Sequence, residues 1–181
     1  MSSDRNELAQ LLRTLSVRTG DFVLASGRSS SYYVDARRTT MSGRGQLLIG
    51  TVGLVLLDEA GWNASAVGGL TLGADPVAYA IAHAAARAER PLDAFTVRKE
   101  AKAHGAARQV EGPVEPGVRV VVIEDVVTTG ASALRAIDAL RAFGADVLGV
   151  LALVDREEGG RDAIESAGHR LVSVFRVSEL V

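Results

Sequence analysis

The stretch VRVVVIEDVVTTGAS, residues 118–132, decides the fold of this chain. It begins as an apolar run, reaches the acidic pair Glu124 and Asp125, and continues into a turn of small residues at 128–132. A short, nearly unbroken apolar run predicts a strand buried on both faces, as in parallel sheets. The small-residue turn predicts the start of a helix, which Gly144 ends. A buried strand that leads straight into a helix is the repeating unit of α/β proteins.

The remainder of the chain repeats this unit on both sides. Apolar periodicity predicts helices at 4–17, 47–59, 74–88 and 162–167, and strands at 64–68, 93–97, 118–123, 147–154 and 171–177. A small hairpin is expected around residues 32–34. Alternating strands and helices predict a single α/β domain whose central sheet is mostly parallel and is flanked by helices.

Composition excludes several classes of protein. Of 181 residues 48% are hydrophobic, none is cysteine, and the formal net charge is −2. This composition excludes a disulfide framework and a thiolate metal site, and it gives no sign of nucleic-acid binding. No signal peptide and no apolar stretch long enough to span a membrane are found, so the expectation is a cytoplasmic protein without membrane contact.

The turn at 128–132 predicts an anion site. The first turn of a helix has unpaired N–H groups and a partial positive charge, Gly130 allows close approach of the backbone, and neighbouring hydroxyl groups add donors. Glu124 and Asp125 would repel a phosphate, so they are expected to face ribose hydroxyls or a cation. Together these features indicate a sugar phosphate. The simpler alternative, in which Asp125 and Thr128 only cap the helix, requires one such residue rather than this whole cluster.

A second cluster of charge, RKEAKAHG, occupies residues 98–105 in a long polar stretch between two predicted strands. Such a run is most often a solvated surface. Its cations would also complement a pyrophosphate, and a loop of this kind can close over a reacting centre and exclude water.

Four patches in this order resemble the type I phosphoribosyltransferases, and among them the orotate phosphoribosyltransferases. They are SGRSSSYYVD at 26–35, RKEAKAHG at 98–105, the segment 118–132, and VDR at 154–156. The resemblance covers about residues 8–180. It implies one domain, residues 1–181, with an N-terminal hood of about residues 1–40 plus part of the C-terminus, and a core of about residues 41–155.

The resemblance also implies roles for individual residues. The donor, 5-phosphoribosyl 1-diphosphate, would be bound by Arg98, Lys99, Lys102, His104, Glu124, Asp125, Val126, Val127, Thr128, Thr129, Gly130, Ala131 and Ser132. Orotate would be bound by Arg156, through its carboxylate, and by Thr128. Lys102, Lys99 and Asp125 are the expected catalytic residues. Two departures from the family pattern are Ala25 and the segment 71–75, where many relatives carry lysine.

The reaction implied is transfer of the 5-phosphoribosyl group to N1 of orotate, which yields orotidine 5′-phosphate and diphosphate in UMP biosynthesis. Mg²⁺ is the expected cofactor, held mainly by the donor's diphosphate without a protein cage. The resemblance further implies a homodimer in which the basic loop reaches into the partner subunit's active site.

Several alternatives remain open at this stage. Local sequence alone favours a surface ion pair between Arg156 and Asp155 or Glu157. The chain could also transfer the phosphoribosyl group to another base, such as a purine, or be a non-catalytic regulator that binds the donor and nucleic acid. The basic loop argues against both of these. His83, His169 and Trp62 are interpreted as structural, and Tyr32 and Tyr33 are assigned either to the base site or to the core.

Overall fold

The computed structural model describes residues 3–23, 29–100 and 109–181. Its helices are α1 (Ser3–Leu15), α2 (Arg37–Thr40), α3 (Gly43–Glu59), α4 (Ala74–Arg87), α5 (Ala131–Phe143) and α6 (Gly160–Ser166). Its strands are β1 (Val17–Val23), β2 (Ser29–Val34), β3 (Ala66–Leu70), β4 (Asp93–Val97), β5 (Val110–Glu111), β6 (Arg119–Val127), β7 (Asp146–Asp155) and β8 (Leu171–Arg176). A 3-10 turn, Val177–Glu179, follows β8.

The central sheet has six strands in the order β5-β4-β3-β6-β7-β8. Strands β4, β3, β6, β7 and β8 run parallel, and β5 pairs antiparallel with β4 at the edge. The α/β fold with a mostly parallel sheet, predicted from the sequence, is confirmed. These are the strands that the sequence shows as short apolar runs, because both faces of such a sheet are covered.

Helices cover both faces of the sheet. On one face, α1, α3 and α4 pack against Val121 and Ile123 of β6, and on the other α5 packs against Val120 and Val122. Successive side chains of a strand point to opposite faces, so one apolar run contributes to both cores. The strand is therefore fixed on both sides as it approaches the acidic pair.

Some boundaries differ from those predicted. Strand β6 continues through the acidic pair to Val127, because its last residues still pair with β7. Helix α3 begins at Gly43 rather than at residue 47, since Ser42 caps it by accepting a hydrogen bond from Gly45 N at 3.1 Å. The hairpin is confirmed as β1 paired antiparallel with β2, which makes a separate two-stranded sheet.

Two further observations bear on domain organisation. Strand β8 belongs to the same sheet as β3–β7, beyond the core limit of about residue 155 expected from the sequence. The division into hood and core stays a prediction. None of the helices within the described ranges combines the length and apolar composition that a membrane span requires.

Candidate active site

The carboxyl ends of β3, β4, β6 and β7 meet at one edge of the sheet because these strands run parallel. The segments that follow them are 71–73, 98–100, 128–130 and the corner at Arg156. This is the edge at which open α/β sheets bind ligands. The fold therefore brings together three of the patches that the sequence singles out, although they are far apart along the chain.

Glu124 and Asp125 lie in the last part of β6, where the strand reaches this edge. Glu124 is buried, and its burial, reinforced by the negative charge of Asp125, raises its pKa to about 8. Burial also raises the pKa of Asp125, although Val126 N donates to its Oδ1 at 2.9 Å and Arg37 opposes the shift. Two desolvated carboxyl groups side by side favour hydroxyl groups or a cation as partners.

The turn into α5 is built around Gly130, whose φ of 80° lies in the left-handed region that favours glycine. A Cβ at this position would also lie 2.9 Å from the carbonyl oxygen of Gly160. No side chain caps the helix here, so its first amide groups are left for another acceptor. Thr129, Ala131 and Ser132 are exposed, which leaves the start of α5 accessible to an anion.

A pocket of about 300 Å³ opens beside the acidic pair. It is lined by Arg37, Leu70, Thr71, Leu72, Gly73, Lys99, Glu124, Asp125 and Ser132. Lys99, Glu124, Asp125 and Ser132, all singled out from the sequence, are brought together here, while Arg98 lines an adjoining cleft of about 620 Å³ that shares Lys99 and Thr71. The pocket therefore combines carboxyl groups, which suit the hydroxyl groups of a sugar, with cations, which suit the negative charge of a diphosphate.

The loop at 71–73 contacts the acidic pair closely. A Cβ at Gly73 would lie 2.6 Å from Asp125 Oδ1 and 2.9 Å from Oδ2. A side chain here would displace either the loop or the carboxylate, so glycine is required for the contact. The sequence identified this segment only by its departure from the family pattern, and the structure makes it a wall of the pocket.

The root of the basic segment is held at both ends. Arg98 N donates to Gln109 O at 2.8 Å, and Gln109 Nε2 donates back to Arg98 O at 2.9 Å. Arg135 of α5 donates to Lys99 O at 3.2 Å, which connects the segment to the helix that begins at the predicted anion site. Lys102 and His104 lie outside the described residues, and their roles stay predictions.

Arg156 occupies a buried corner immediately after β7, and its N–H donates to Val127 O at 2.9 Å. Its guanidinium lies over the ring of Tyr32, 5.3 Å from the centroid, and Nη2 is 2.7 Å from Glu158 Oε1. The Nε atom is buried and has no hydrogen-bond partner among the residues that the structure describes. A buried guanidinium with an unused donor suits a planar carboxylate.

The ion pair expected from local sequence is therefore wrong in two respects. Arg156 is buried rather than on the surface, and its carboxylate partner is Glu158 rather than Asp155 or Glu157. Asp155 instead accepts from Arg161 Nε at 3.1 Å and from Glu157 N at 2.9 Å. The side chains of successive residues point in opposite directions at the end of a strand, so residues adjacent to Arg156 in sequence are not the ones that pair with it.

Arg37 is a pocket residue that sequence reasoning missed. Its Nε donates to Asp35 Oδ1 at 2.8 Å, and its charge is near enough to Asp125 to counter the raised pKa of that carboxyl. It lies two residues after the patch at 26–35, and that position is the one signal in the sequence that could have identified it.

Other assignments can also be placed. His169 is buried, lies 2.8 Å from Arg141 Nη2, and has a pKa lowered by burial and by that cation. Trp62 packs in the core, and Tyr32 is half-buried against Arg156, whereas Tyr33 is more exposed. Within residues 3–23, 29–100 and 109–181, no three His, Asp or Glu side chains are grouped so as to hold a metal ion.

Comparison with known proteins identifies the family to which the chain is related. Residues 55–167 match the phosphoribosyl transferase domain. Over 181 residues, 98% of each chain, the sequence is 50% identical to the orotate phosphoribosyltransferase of Aquifex aeolicus. It is 52% identical to that of Mycobacterium bovis over 177 residues, which cover 98% of this chain and 96% of the other.

Solved structures agree with the sequence relatives. The fold matches Mycobacterium tuberculosis orotate phosphoribosyltransferase in complex with Fe(III) dicitrate, with a TM-score of 0.87 and 51% identity over 98% of both chains. It matches the same enzyme in complex with 5-phospho-α-D-ribosyl 1-diphosphate with a TM-score of 0.83 and 47% identity, again over 98% of both chains. With the acidic pair, the open start of α5 and the buried Arg156 at one sheet edge, the chain belongs to the orotate phosphoribosyltransferases, pentosyltransferases of the type I phosphoribosyltransferase fold.

Proposed function

We propose that this chain transfers the 5-phosphoribosyl group of 5-phosphoribosyl 1-diphosphate to N1 of orotate. The bond from C1 of the ribose to the diphosphate oxygen breaks and its electrons leave with diphosphate, while N1 of orotate forms the new bond to C1 and the proton of N1 passes to solvent or to the departing diphosphate. The product is orotidine 5′-phosphate, the precursor of UMP. The observation that carries the proposal is the pocket that joins the acidic pair, Lys99 and the first turn of α5.

The 5-phosphate is assigned to the start of α5. Gly130 leaves the first amide groups of the helix uncapped, and the exposed hydroxyl groups of Thr129 and Ser132 add donors beside them. Amide groups and the helix dipole stabilise an anion without requiring a lysine. This arrangement suits a chain that has alanine at residue 25 and no lysine in 71–75.

The ribose hydroxyls are assigned to Glu124 and Asp125. With its pKa near 8, Glu124 carries a proton at neutral pH and can donate as well as accept a hydrogen bond. Positive charge that develops on the ribose ring would lower the pKa of both carboxyl groups and would be stabilised by them. The pair therefore interacts more strongly with the transition state than with the ground state, as catalysis requires.

Magnesium is part of this proposal, and the residues present fit it. Paired carboxyl groups with raised pKa values are hard oxygen ligands that gain from a nearby cation, and the pocket has too few other acidic groups to form a complete cage. When bound to the donor's diphosphate, Mg²⁺ would neutralise charge on the leaving group. Asp125 and Glu124 are the residues that would face it.

The leaving diphosphate is assigned to the basic segment. Lys99 lines the pocket and Arg98 lines the adjoining cleft, and Lys102 and His104 are assigned the same task from the sequence. Cations placed where negative charge accumulates stabilise the transition state more than the bound donor. Exclusion of water by this segment would protect the activated ribose from hydrolysis.

Orotate is assigned to the corner formed by Arg156 and Tyr32. The guanidinium would hold the carboxylate of the base, and the ring of Tyr32 lies against the same guanidinium. Uracil lacks the carboxylate and would leave the buried Nε of Arg156 without an acceptor, so it would be rejected. Thr128 follows the strand residue to which Arg156 is hydrogen-bonded, so it lies at the same corner.

A homodimer with shared active sites remains part of the proposal, as does a cytoplasmic location. Exposed apolar side chains on α3 and α4 support the dimer, namely Leu47, Val55 and Tyr79, beside a cleft of about 500 Å³ between the two helices. Cell fractionation would test the location.

Hybrid dimers would test site sharing. Lys102→Ala and Asp125→Asn subunits, each inactive alone, are mixed in equal amounts. If the basic segment serves the partner's pocket, random assortment restores one complete site in half of the dimers, about a quarter of native activity. No recovery on mixing, with dimers shown by light scattering, would contradict shared sites.

The decisive experiment for the function follows the absorbance of orotate after addition of donor and Mg²⁺. Orotate should be consumed only when both are present, and uracil and hypoxanthine should not replace it. Turnover of hypoxanthine instead would assign the chain to another base. Donor binding without turnover of any base would indicate a regulator, and a mobility shift with DNA would then be the next measurement.

A further inference from the structure

Asp75 is a buried carboxylate that the proposed reaction does not use. It lies in the first turn of α4 and is 8% exposed. Thr71 Oγ1 donates to its Oδ2 at 2.7 Å, and Thr96 Oγ1 donates to its Oδ1 at 2.9 Å. The hydrogen of Thr96 is thereby committed, so the 2.9 Å contact between Thr96 Oγ1 and Tyr79 OH is one in which the tyrosine donates.

The two threonines belong to two different segments that border the donor site. Thr71 begins the loop at 71–73, which ends with Gly73 against the carboxylate of Asp125. Thr96 lies near the end of β4, two residues before Arg98, where the basic segment begins. Thr71 N also donates to Val97 O at 2.9 Å, so backbone and side chains connect the same two segments.

We propose that Asp75 is a positioning residue for the donor. Through Thr71 it fixes the loop that contacts Asp125, and through Thr96 it fixes the root of the basic segment, so one carboxylate sets the spacing between the two. The inference rests on the proposed function, because it assumes that Asp125, which the loop contacts, binds the ribose of 5-phosphoribosyl 1-diphosphate and that the basic segment binds its diphosphate.

A carboxylate is well suited to this position. The first turn of a helix favours negative charge, and hydrogen bonds to a charged acceptor are stronger than neutral ones. Replacement by alanine would remove the acceptor of two partly buried hydroxyl groups at once. Both segments would then keep their backbone pairing but lose the side-chain connection between them.

The test compares Asp75→Ala and Asp75→Asn with the native enzyme. For Asp75→Ala we expect the KM for the donor to rise about tenfold, because part of the free energy of the two lost hydrogen bonds to a charged group is lost from donor binding, while the KM for orotate changes less than twofold. Asparagine keeps one acceptor and adds a donor, to which a hydroxyl can adapt by reversing its direction. Asp75→Asn should therefore stay within about threefold of native.

Direct titration of 5-phosphoribosyl 1-diphosphate into each protein, followed by calorimetry, gives donor affinity without turnover. Thr71→Val and Thr96→Val should each weaken donor binding. Combining either with Asp75→Ala should cost less than the sum of the single changes, because residues in one network are not additive. Asp93→Ala, an exposed carboxylate at the other end of β4, is the matched control and should change nothing.

A purely structural role predicts a different pattern. A less stable protein loses active molecules, so its apparent kcat and melting temperature fall while both KM values stay constant. That result, or an unchanged donor KM in folded Asp75→Ala, would overturn the inference. The inference would also be overturned if Asp75→Asn weakened donor binding as much as Asp75→Ala while Thr71→Val and Thr96→Val bound the donor with native affinity.

If the native protein turns over orotate normally and Asp75→Ala has an unchanged KM for the donor, only the positioning role is contradicted. If the native protein neither binds the donor nor consumes orotate, both the proposed function and the positioning role are contradicted.

Discussion

The donor side and the base side of this active site are built in different ways. On the proposed donor side, the acidic pair and the turn assigned to the 5-phosphate are consecutive in sequence, since β6 leads directly into α5. On the base side, Arg156 follows another strand and its nearest partners, Tyr32 and Glu158, come from a hairpin and a loop. A contiguous site shows its chemistry in its residue types, whereas an assembled site depends on which segments the fold brings together.

The comparison implies that the two sides can be disabled separately. For Arg156→Ala we expect the KM for orotate to rise about 100-fold, since a charge-assisted pair contributes about 2–3 kcal/mol, while the KM for the donor stays within threefold. Arg156→Lys should recover only part of the loss, because lysine cannot make a bidentate contact. Steady-state kinetics with each substrate varied in turn measures both effects.

Arg119→Ala serves as the control, since Arg119 lies at the opposite end of β6 and its ion pair with Asp146 is long, at 3.9 Å. Equal loss of affinity for both substrates in Arg156→Ala would contradict the separation of the two sides.

On the donor side, Glu124 gives the sharpest dependence on pH. Its pKa is raised from 4.5 to about 8, so its contribution to stability is fully present below about pH 4.5 and is lost as the pH rises through about 8. Glu124→Gln removes that loss. Between pH 6 and 8 we expect the free energy of unfolding of Glu124→Gln to increase relative to that of the wild type by on the order of 2 kcal/mol, since one proton gives at most about 1.4 kcal/mol per pH unit.

Urea unfolding at three pH values measures this difference. Glu115→Gln, an exposed carboxylate in the segment before β6, is the control and should show parallel curves. If the free energies of unfolding of Glu124→Gln and wild type differ by the same amount at every pH, Glu124 does not retain its proton in the folded enzyme.

The contact between Gly73 and Asp125 offers a steric test of the same side. Gly73→Ala would place a Cβ 2.6 Å from Asp125 Oδ1, so the loop or the carboxylate must move. We expect the KM for the donor to rise about tenfold, equivalent to about 1.4 kcal/mol, with little change for orotate. Gly43→Ala is the matched control, because a Cβ there meets nothing within 4 Å. Native donor affinity in Gly73→Ala would show that the contact is not needed.

The fold was largely predictable because its signals are local. Each parallel strand is a short apolar run followed by a helix with its own period, and the acidic pair stands at the end of one of them. Strand β5 was missed because Val110–Glu111 is two residues long and is defined only by its pairing with β4. No periodicity can be read from two residues.

For the site, as for the fold, the residues in local motifs were predictable from the sequence, and those that matter through their contacts in the fold were not. Lys99, Glu124, Asp125 and Ser132 belong to short motifs and do share a pocket. Arg37 and Asp75 gain their significance from residues distant in sequence, namely Asp125 and Thr96, and Glu158 gains it from the direction of the loop that carries it, two residues after Arg156. Such contacts depend on strand order and on loop direction, which single residue types do not encode.

Glu158 provides the smallest and most specific test of the base side. Its carboxylate lies 2.7 Å from Arg156 Nη2, the group assigned to the carboxylate of orotate, so the two carboxylates compete for one guanidinium. For Glu158→Gln we expect the KM for orotate to fall two- to threefold, because a neutral amide competes less and a partly accessible ion pair contributes up to about 1 kcal/mol. The KM for the donor should not change. A rise in the KM for orotate would show that Glu158 instead orients Arg156 for the base, and the double variant with Arg156→Lys would measure that coupling directly.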